Sequence, residues 1–256
     1  MRTIVYGNGR SRLKWDLKQN LHNDVITWGC NRIYNDTVVD NLVAVDYWVQ
    51  HDIVESGYPK NNKCWFTDWE VLPIEYDVEY LKEQYLAQGC STFIENDNTN
   101  KTKKVISGRL HPPHQALYIT WLDGTENIEY VDFPIEWSSG STTMHLACQQ
   151  GAKEIYLMGF DLSSYPINNV YEDIQRKYFD HHPRRVDLNR PDWIGQMKTV
   201  MNEFRDTQFI WVEPDRNTVR FDMNNLTYDT YENVRKNMSL DTLKRNNSLD
   251  KLLNVA

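Results

Sequence analysis

Short apolar runs separated by turn-rich polar stretches mark the first part of the chain. Thr3 to Tyr6 is the first run, broken by Gly7-Asn8-Gly9-Arg10-Ser11 and followed by an expected helix to about Leu21. Val25 to Trp28 is the second, ended by Gly29, and Leu42 to Val45 the third, ended by Asp46. None of these runs alternates apolar with polar, as strands covered on both faces do not, and strands divided by helical stretches point to a parallel sheet.

The middle of the chain is less regular. Lys63 to Trp69 reads as a strand, Val78 to Gln88 as a helix stopped by Gly89, and Ser91 to Lys104 as an exposed loop. Ala116 to Trp121 and Ile128 to Phe133 read as a hairpin turning at Asp123-Gly124. Regular patterning returns with a helix over Thr142 to Gln150, ended by Gly151, and an apolar strand over Glu154 to Met158. Pro191-Asp192 opens a helix to about Phe204, and Phe209 to Val212 is the last expected strand of a sheet of roughly six, a usual size. The expected fold is an α/β Rossmann-like three-layer sandwich with a mostly parallel sheet. A nucleotide-binding domain over 1–215 would carry a lid at about 163–189. A C-terminal extension over 216–256 would end in a weak amphipathic helix with Leu240, Leu243, Leu249, Leu252 and Leu253.

Composition narrows the class. The 256 residues are 40% hydrophobic and 25% charged, which is globular, and 28 Lys+Arg against 36 Asp+Glu leave a net charge of −8. A chain of that sign is a poor ligand for a nucleic-acid backbone, although a local basic pocket stays open. No window approaches the about 20 apolar residues of a membrane span. The N-terminus runs straight into the first strand without a signal-like segment, so a cytoplasmic location is expected. Cys30, Cys64, Cys90 and Cys148 are scattered without a CxxC pair and read as reduced thiols in or near the core.

Three places could carry chemistry. In an open parallel sheet, ligands bind at the carboxyl ends of the strands. Gly7, Asn8, Gly9 and Ser11 follow the first strand there, and Asn31 follows the second. Glycine N–H groups and a helix start suit an anion, and the two amides offer donors and acceptors; a plain tight turn with Ser11 as helix cap is the competing reading. The loop is neither a dinucleotide fingerprint, since Arg12 stands in place of the third glycine, nor a phosphate loop ending in GK[ST]. Ser138-Ser139-Gly140-Ser141 opens a helix with hydroxyls and free N–H groups, suited to ribose or phosphate or simply to capping.

Ser163 to Asn189 holds Tyr165, Tyr171, Tyr178, His181, His182, Arg184 and Arg185 with no clear element. It reads as a lid carrying phosphate-binding groups and a base, or as a solvated loop. The adjacent histidines lack the spaced partners of a metal site. Asp46 and Asp52 are more simply caps than cation ligands.

TIVYGNGRS, WGCN with VAVD after it, and SSGSTTMHLACQQGAKEIYLMGFDL together resemble glycosyltransferase family 42, the bacterial sialyltransferases of the lipooligosaccharide type. The related DUF115 group, which includes a 6-hydroxymethylpterin diphosphokinase, shares the layout. The resemblance covers about Arg2 to Asp46 and Ser138 to Phe204. It implies donor-nucleotide contacts at Asn8, Asn31, Ser139 and Gly140, with Gly159 and Asp161 bordering the nucleotide. It also implies a phosphate-holding tyrosine at Tyr165 or Tyr171 and a lid histidine as general base. His182 is placed ahead of His181 because it lies nearer the helix that closes the site. The sequence departs from the family at Arg10, where a proline is usual, and at Ser163, where one of two tyrosines is usual.

The implied enzyme transfers a sugar from a nucleotide-sugar donor, a CMP-sugar, to a glycan or other hydroxyl acceptor, with no obligatory metal or cofactor. A homo-oligomer stays open. The alternatives are an ATP-dependent pyrophosphokinase of the pterin type, needing Mg²⁺ held by carboxylates among Asp46, Asp52 and Asp161, and a non-catalytic nucleotide-binding or structural protein on the same scaffold.

Overall fold

The computed structural model describes residues 1–67, 92–93, 106–107, 127–131, 137–162, 169–171 and 192–240. The strands are β1 (Arg2–Tyr6), β2 (Val25–Cys30), β3 (Asn41–Ala44), β4 (Cys64–Thr67), the short β5 (Thr92–Phe93) and β6 (Ile106–Ser107), β7 (Ile128–Val131), β8 (Glu154–Met158), β9 (Gln208–Val212) and β10 (Leu226–Asp229). The helices are α1 (Tyr47–Glu55), α2 (Ser139–Gln149), α3 (Trp193–Glu203) and α4 (Tyr231–Met238).

Eight strands form one sheet in the order β10-β9-β8-β1-β2-β3-β4-β7, every pair parallel. β5 and β6 form a separate antiparallel pair. The chain builds outward from β1 through β2, β3, β4 and β7, then returns to the other side of β1 with β8 and continues outward. The strand order therefore switches between β1 and β8, where ligands of open α/β sheets sit.

The strands are buried on both faces because their side chains alternate between two apolar layers. Ile4, Tyr6, Leu42, Phe66, Met158 and Val212 point into one layer, with Val49 and Ile53 of α1 and Val234 and Met238 of α4. Val5, Trp28, Val43, Leu157 and Trp211 point into the other, with Met144 and Leu146 of α2 and Met197 and Val200 of α3. Each fully buried aliphatic or aromatic side chain contributes about 1.5–3 kcal/mol, so two such layers stabilise the sheet without help from disulfides. Cys30, Cys64 and Cys148 are buried and in no disulfide.

The structure changes several expectations. Among the described residues the sheet has eight strands rather than roughly six. The helix expected after Ser11 is a single 3-10 turn over Arg10–Lys14. That segment lacks an apolar stripe: Leu13 is exposed while Arg12 and Trp15 are buried. Asp16 Oδ1 then accepts from Lys18 N and diverts the chain into a local turn.

Phe209 to Val212 is not the last strand. β10 pairs with β9, and α4 packs on the core beyond it, where the polar sequence had suggested only a tail. Ile128–Val131 pairs parallel with β4; its expected hairpin partner at 116–121 and the expected helix at 78–88 lie outside the described residues. Gly151 does end α2, in the left-handed region at φ 86°.

Candidate functional site at the carboxyl edge

Parallel pairing brings the loops after β1, β2 and β8 to one edge. Tyr6 pairs with both Gly29 and Met158, so the GNG loop lies between the other two. Asn8 and Asn31 each follow that register pair by two residues.

The GNG loop leans on the loop after β8. Gly7 N donates to Met158 O at 2.7 Å and Gly9 N to Gly159 O at 2.8 Å. A Cβ on Gly7 would stand 2.5 Å from Gly159 O, and one on Gly9 2.4 Å from Asp161 Oδ2. Gly159 itself has φ 72°. The glycines thus serve close backbone contact between two loops, and the N–H groups of Gly7 and Gly9 are committed to that contact.

Asp161, 2% exposed, completes it. One carboxylate oxygen accepts from Ser11 N at 2.8 Å, the other from Asp215 N at 3.0 Å. It fastens the loops after β1, β8 and β9 to one another. Ser11 is not the cap of the 3-10 turn: Gly9 holds that position, with no side-chain bond. Tyr231 at the start of α4 is buried, and burial raises its hydroxyl pKa.

On the other side of β1 the end of β2 meets the start of α2. Asn31 adopts φ 52°, tolerated by asparagine, and its Oδ1 accepts from Ser139 Oγ at 2.7 Å. The end of β2 is thereby joined to the start of α2. Ser138 caps that helix, accepting from Ser141 N at 3.2 Å, and Ser138 N donates to Gln196 Oε1 of α3. Ser141 is buried and bonded to Ser138. Ser139 and Gly140 occupy the first turn, whose N–H groups lie outside the intrahelical ladder. Phe160 lines this corner: a Cβ on Gly140 would lie 3.1 Å from its ring. Asn8 Oδ1 is buried and makes no hydrogen bond among the described residues.

Residues 169–171 lie across the GNG loop. Val170 N donates to Asn8 O at 2.8 Å. The Tyr171 hydroxyl donates to Asp36 Oδ2 at 2.5 Å and accepts from Arg12 Nη2 at 3.1 Å, while Arg12 also pairs with Asp36 at 2.9 Å. Burial raises the Tyr171 pKa to about 12, so its hydroxyl stays protonated at neutral pH. Arg12 is 1% exposed, a position a charge holds only with such partners.

The structure therefore brings Asn8, Asn31, Ser139, Gly140 and Tyr171 to one region, while Gly7, Gly9, Gly159, Ser11 and Asp161 form the framework beneath it. Tyr165, His181 and His182 lie outside the described residues. The Arg12–Asp36–Tyr171 cluster was not legible in sequence: Arg12 signalled only a missing glycine, and nothing links it to Asp36, 24 positions on. Of the carboxylates open to a cation, Asp161 is bound by backbone N–H groups and Asp52 pairs with Arg32. Among the described residues no group of three or more His, Cys, Asp or Glu could hold a metal ion, and no helix is long and apolar enough to cross a membrane.

No family model matches the chain, and no curated protein does. Among solved structures it is similar to the sialyltransferase CST-II in complex with a trisaccharide acceptor and CMP, at 13% identity and a TM-score of 0.42, over 82% of this chain and 80% of that one. It is also similar to a tyrosine-to-phenylalanine variant of CST-II in complex with CMP, at 12% identity and a TM-score of 0.39, over the same shares of the two chains.

Proposed function

We propose that this chain is a glycosyltransferase-like enzyme that takes a nucleotide-activated sugar, of the CMP-sialic-acid type, at the carboxyl edge beside β1. The observation that carries the reading is the Ser139–Asn31 hydrogen bond at 2.7 Å. It joins two residues that the family resemblance assigns to the donor nucleotide, although 108 positions separate them in the chain. Asn8, on the neighbouring loop, supplies a buried amide oxygen without a partner among the described residues. A nucleotide amine or hydroxyl is the donor that would satisfy it.

In this mechanism the acceptor hydroxyl oxygen attacks the anomeric carbon of the donor. A lid histidine, His182 or His181, takes the hydroxyl proton. The bond from the anomeric carbon to the phosphate oxygen breaks, and the nucleotide leaves with the electron pair. Stabilising that departing charge lowers the barrier most. The first-turn N–H groups of α2 and the tyrosines of the 163–189 segment are the groups proposed for it, and that segment keeps water out.

The pyrophosphokinase alternative needs carboxylates for Mg²⁺, and Asp52 and Asp161 have structural partners already. Calorimetry of the intact chain with CMP, CDP, UDP and ATP, each with and without Mg²⁺, tests the reading. Binding of a cytidine nucleotide without Mg²⁺ is expected. Binding of ATP alone, and only with Mg²⁺, would overturn it.

A further inference from the structure

A second cleft, of about 380 Å³, opens at the same sheet edge between the 3-10 turn after β1 and the segment after β9. Arg10 and Lys14 line it from one side, Arg216 and Arg220 from the other, with Glu213 and Asp215 between them. Four basic groups against two acidic ones leave a local surplus of two positive charges on a chain whose net charge is −8. The acidic pair is occupied. Glu213 accepts from Tyr231 N at 2.8 Å and faces Lys14 Nζ at 3.4 Å, and Asp215 accepts from Asn217 N at 2.9 Å.

Arg216 and Arg220 are exposed, and neither makes an ion pair among the described residues. Arg220 instead stacks its guanidinium over the Tyr228 ring, 5.0 Å from its centroid, which holds the fork in place. Glu213 holds φ 33°, an uncommon conformation for a residue with a side chain, and Asp215 N is fastened to Asp161. The wall that carries Arg216 is thus tied to the framework beneath the proposed nucleotide crevice.

We propose that this cleft is a phosphate-binding site distinct from the nucleotide crevice. Two guanidinium forks match the oxygens of a phosphate bidentately, and the local surplus of two charges suits a dianion. The site stands whether or not the crevice takes a CMP-sugar. A free phosphate and one esterified to a second substrate present the same terminal oxygens.

Calorimetric titration with inorganic phosphate and, separately, with glucose 1-phosphate in low salt tests the assignment. Both variant residues are exposed, so Arg216→Gln/Arg220→Gln keeps the fold, and its melting temperature checks this. The expected result is saturable binding of at least one probe, weakened tenfold or more in the double variant and by raised NaCl. Tighter binding of glucose 1-phosphate would mark the esterified source and tighter binding of phosphate the free one. No saturable binding of either probe at 10-millimolar order would overturn the proposal, as would equal affinity in the double variant. Displacement of the bound probe by CMP would also overturn it, since the cleft would then belong to the nucleotide site. Failure of CMP to bind at all would count against the nucleotide reading and leave this test unaffected.

Discussion

Single side chains at the carboxyl edge divide into those that hold loops together and those proposed to face a ligand. Gly9 belongs to the first kind. Gly9→Ala would force a methyl group against Asp161 Oδ2 and Gly159 O, and overpacking of this sort costs about 1–3 kcal/mol. A lowered melting temperature is expected, and an unchanged one would show that the loops can part. Asn8 belongs to the second kind. Asn8→Ala is expected to weaken binding of a cytidine nucleotide by about 1–2 kcal/mol, the worth of a lost hydrogen bond to a ligand. Calorimetry reads this directly, and unaltered affinity would remove Asn8 from the pocket.

Buried acidic hydrogens set the alkaline behaviour. The Tyr171 hydroxyl is raised from 10.0 to about 12 and the Cys30 thiol from 9.0 to about 11, chiefly by burial. Both are held neutral in the folded chain more strongly than in the unfolded one. The stability linked to them is complete below their ordinary values and declines as pH rises towards the folded ones. Denaturant midpoints should therefore fall between pH 9 and 12. Tyr171→Phe should flatten the upper part of that decline.

At the scale of elements, α2 is the piece on which the proposed nucleotide site depends. Its N-cap Ser138 satisfies Ser141 N, and Ser138→Ala is expected to cost about 1 kcal/mol. The same change should disturb nucleotide binding more than Asp192→Ala, which removes the cap of α3. Equal effects on binding would mean that the start of α2 takes no part. The two helices are coupled through His145, whose Nε2 meets Glu203 at 3.1 Å while its ring stands edge-on to Trp137 and Phe204. Lid chemistry belongs to this scale too. His181→Ala with His182→Ala should lower turnover about 100-fold or more with little change in donor binding, as loss of a general base does. Full activity in that double variant would remove the base assignment.

For the whole molecule, the segment after residue 215 matters more than its polar composition suggests. β10 covers the edge of β9, and Val234 and Met238 of α4 are fully buried against the sheet. Asn225 Nδ2 also ties this segment to Met201 O and Thr207 O at 3.0 and 3.1 Å. A chain ending at residue 215 would expose that apolar layer and an unpaired strand edge. It is expected to aggregate or to melt well below the full chain, as circular dichroism and light scattering would show. Cooperative unfolding at the same temperature would make the extension an independent appendage.

Local patterning by itself determined the class of fold. Glu154 to Met158 is a strand by its unbroken apolar run, and Gly151 a helix end by its conformational freedom; both are properties of neighbouring residues and need no distant partner. The same holds for the positions of Asn8, Asn31 and Ser139 at element ends. Other features were decided only in the tertiary structure, because they depend on partners far apart in the chain. Leu226–Asp229 is too short and polar to read as a strand alone, and it becomes one by pairing with β9. The segment after Ser11 gives up its helix because Arg12 reaches Asp36 and Tyr171 while Trp15 sinks beside Tyr6, bonding its hydroxyl at 3.1 Å. The glycines of the GNG loop look like groups opened to a ligand, yet their N–H groups are bound to the loop after β8. That loop lies 150 residues along the chain, and only the parallel pairing of β1 with β8 brings the two into contact.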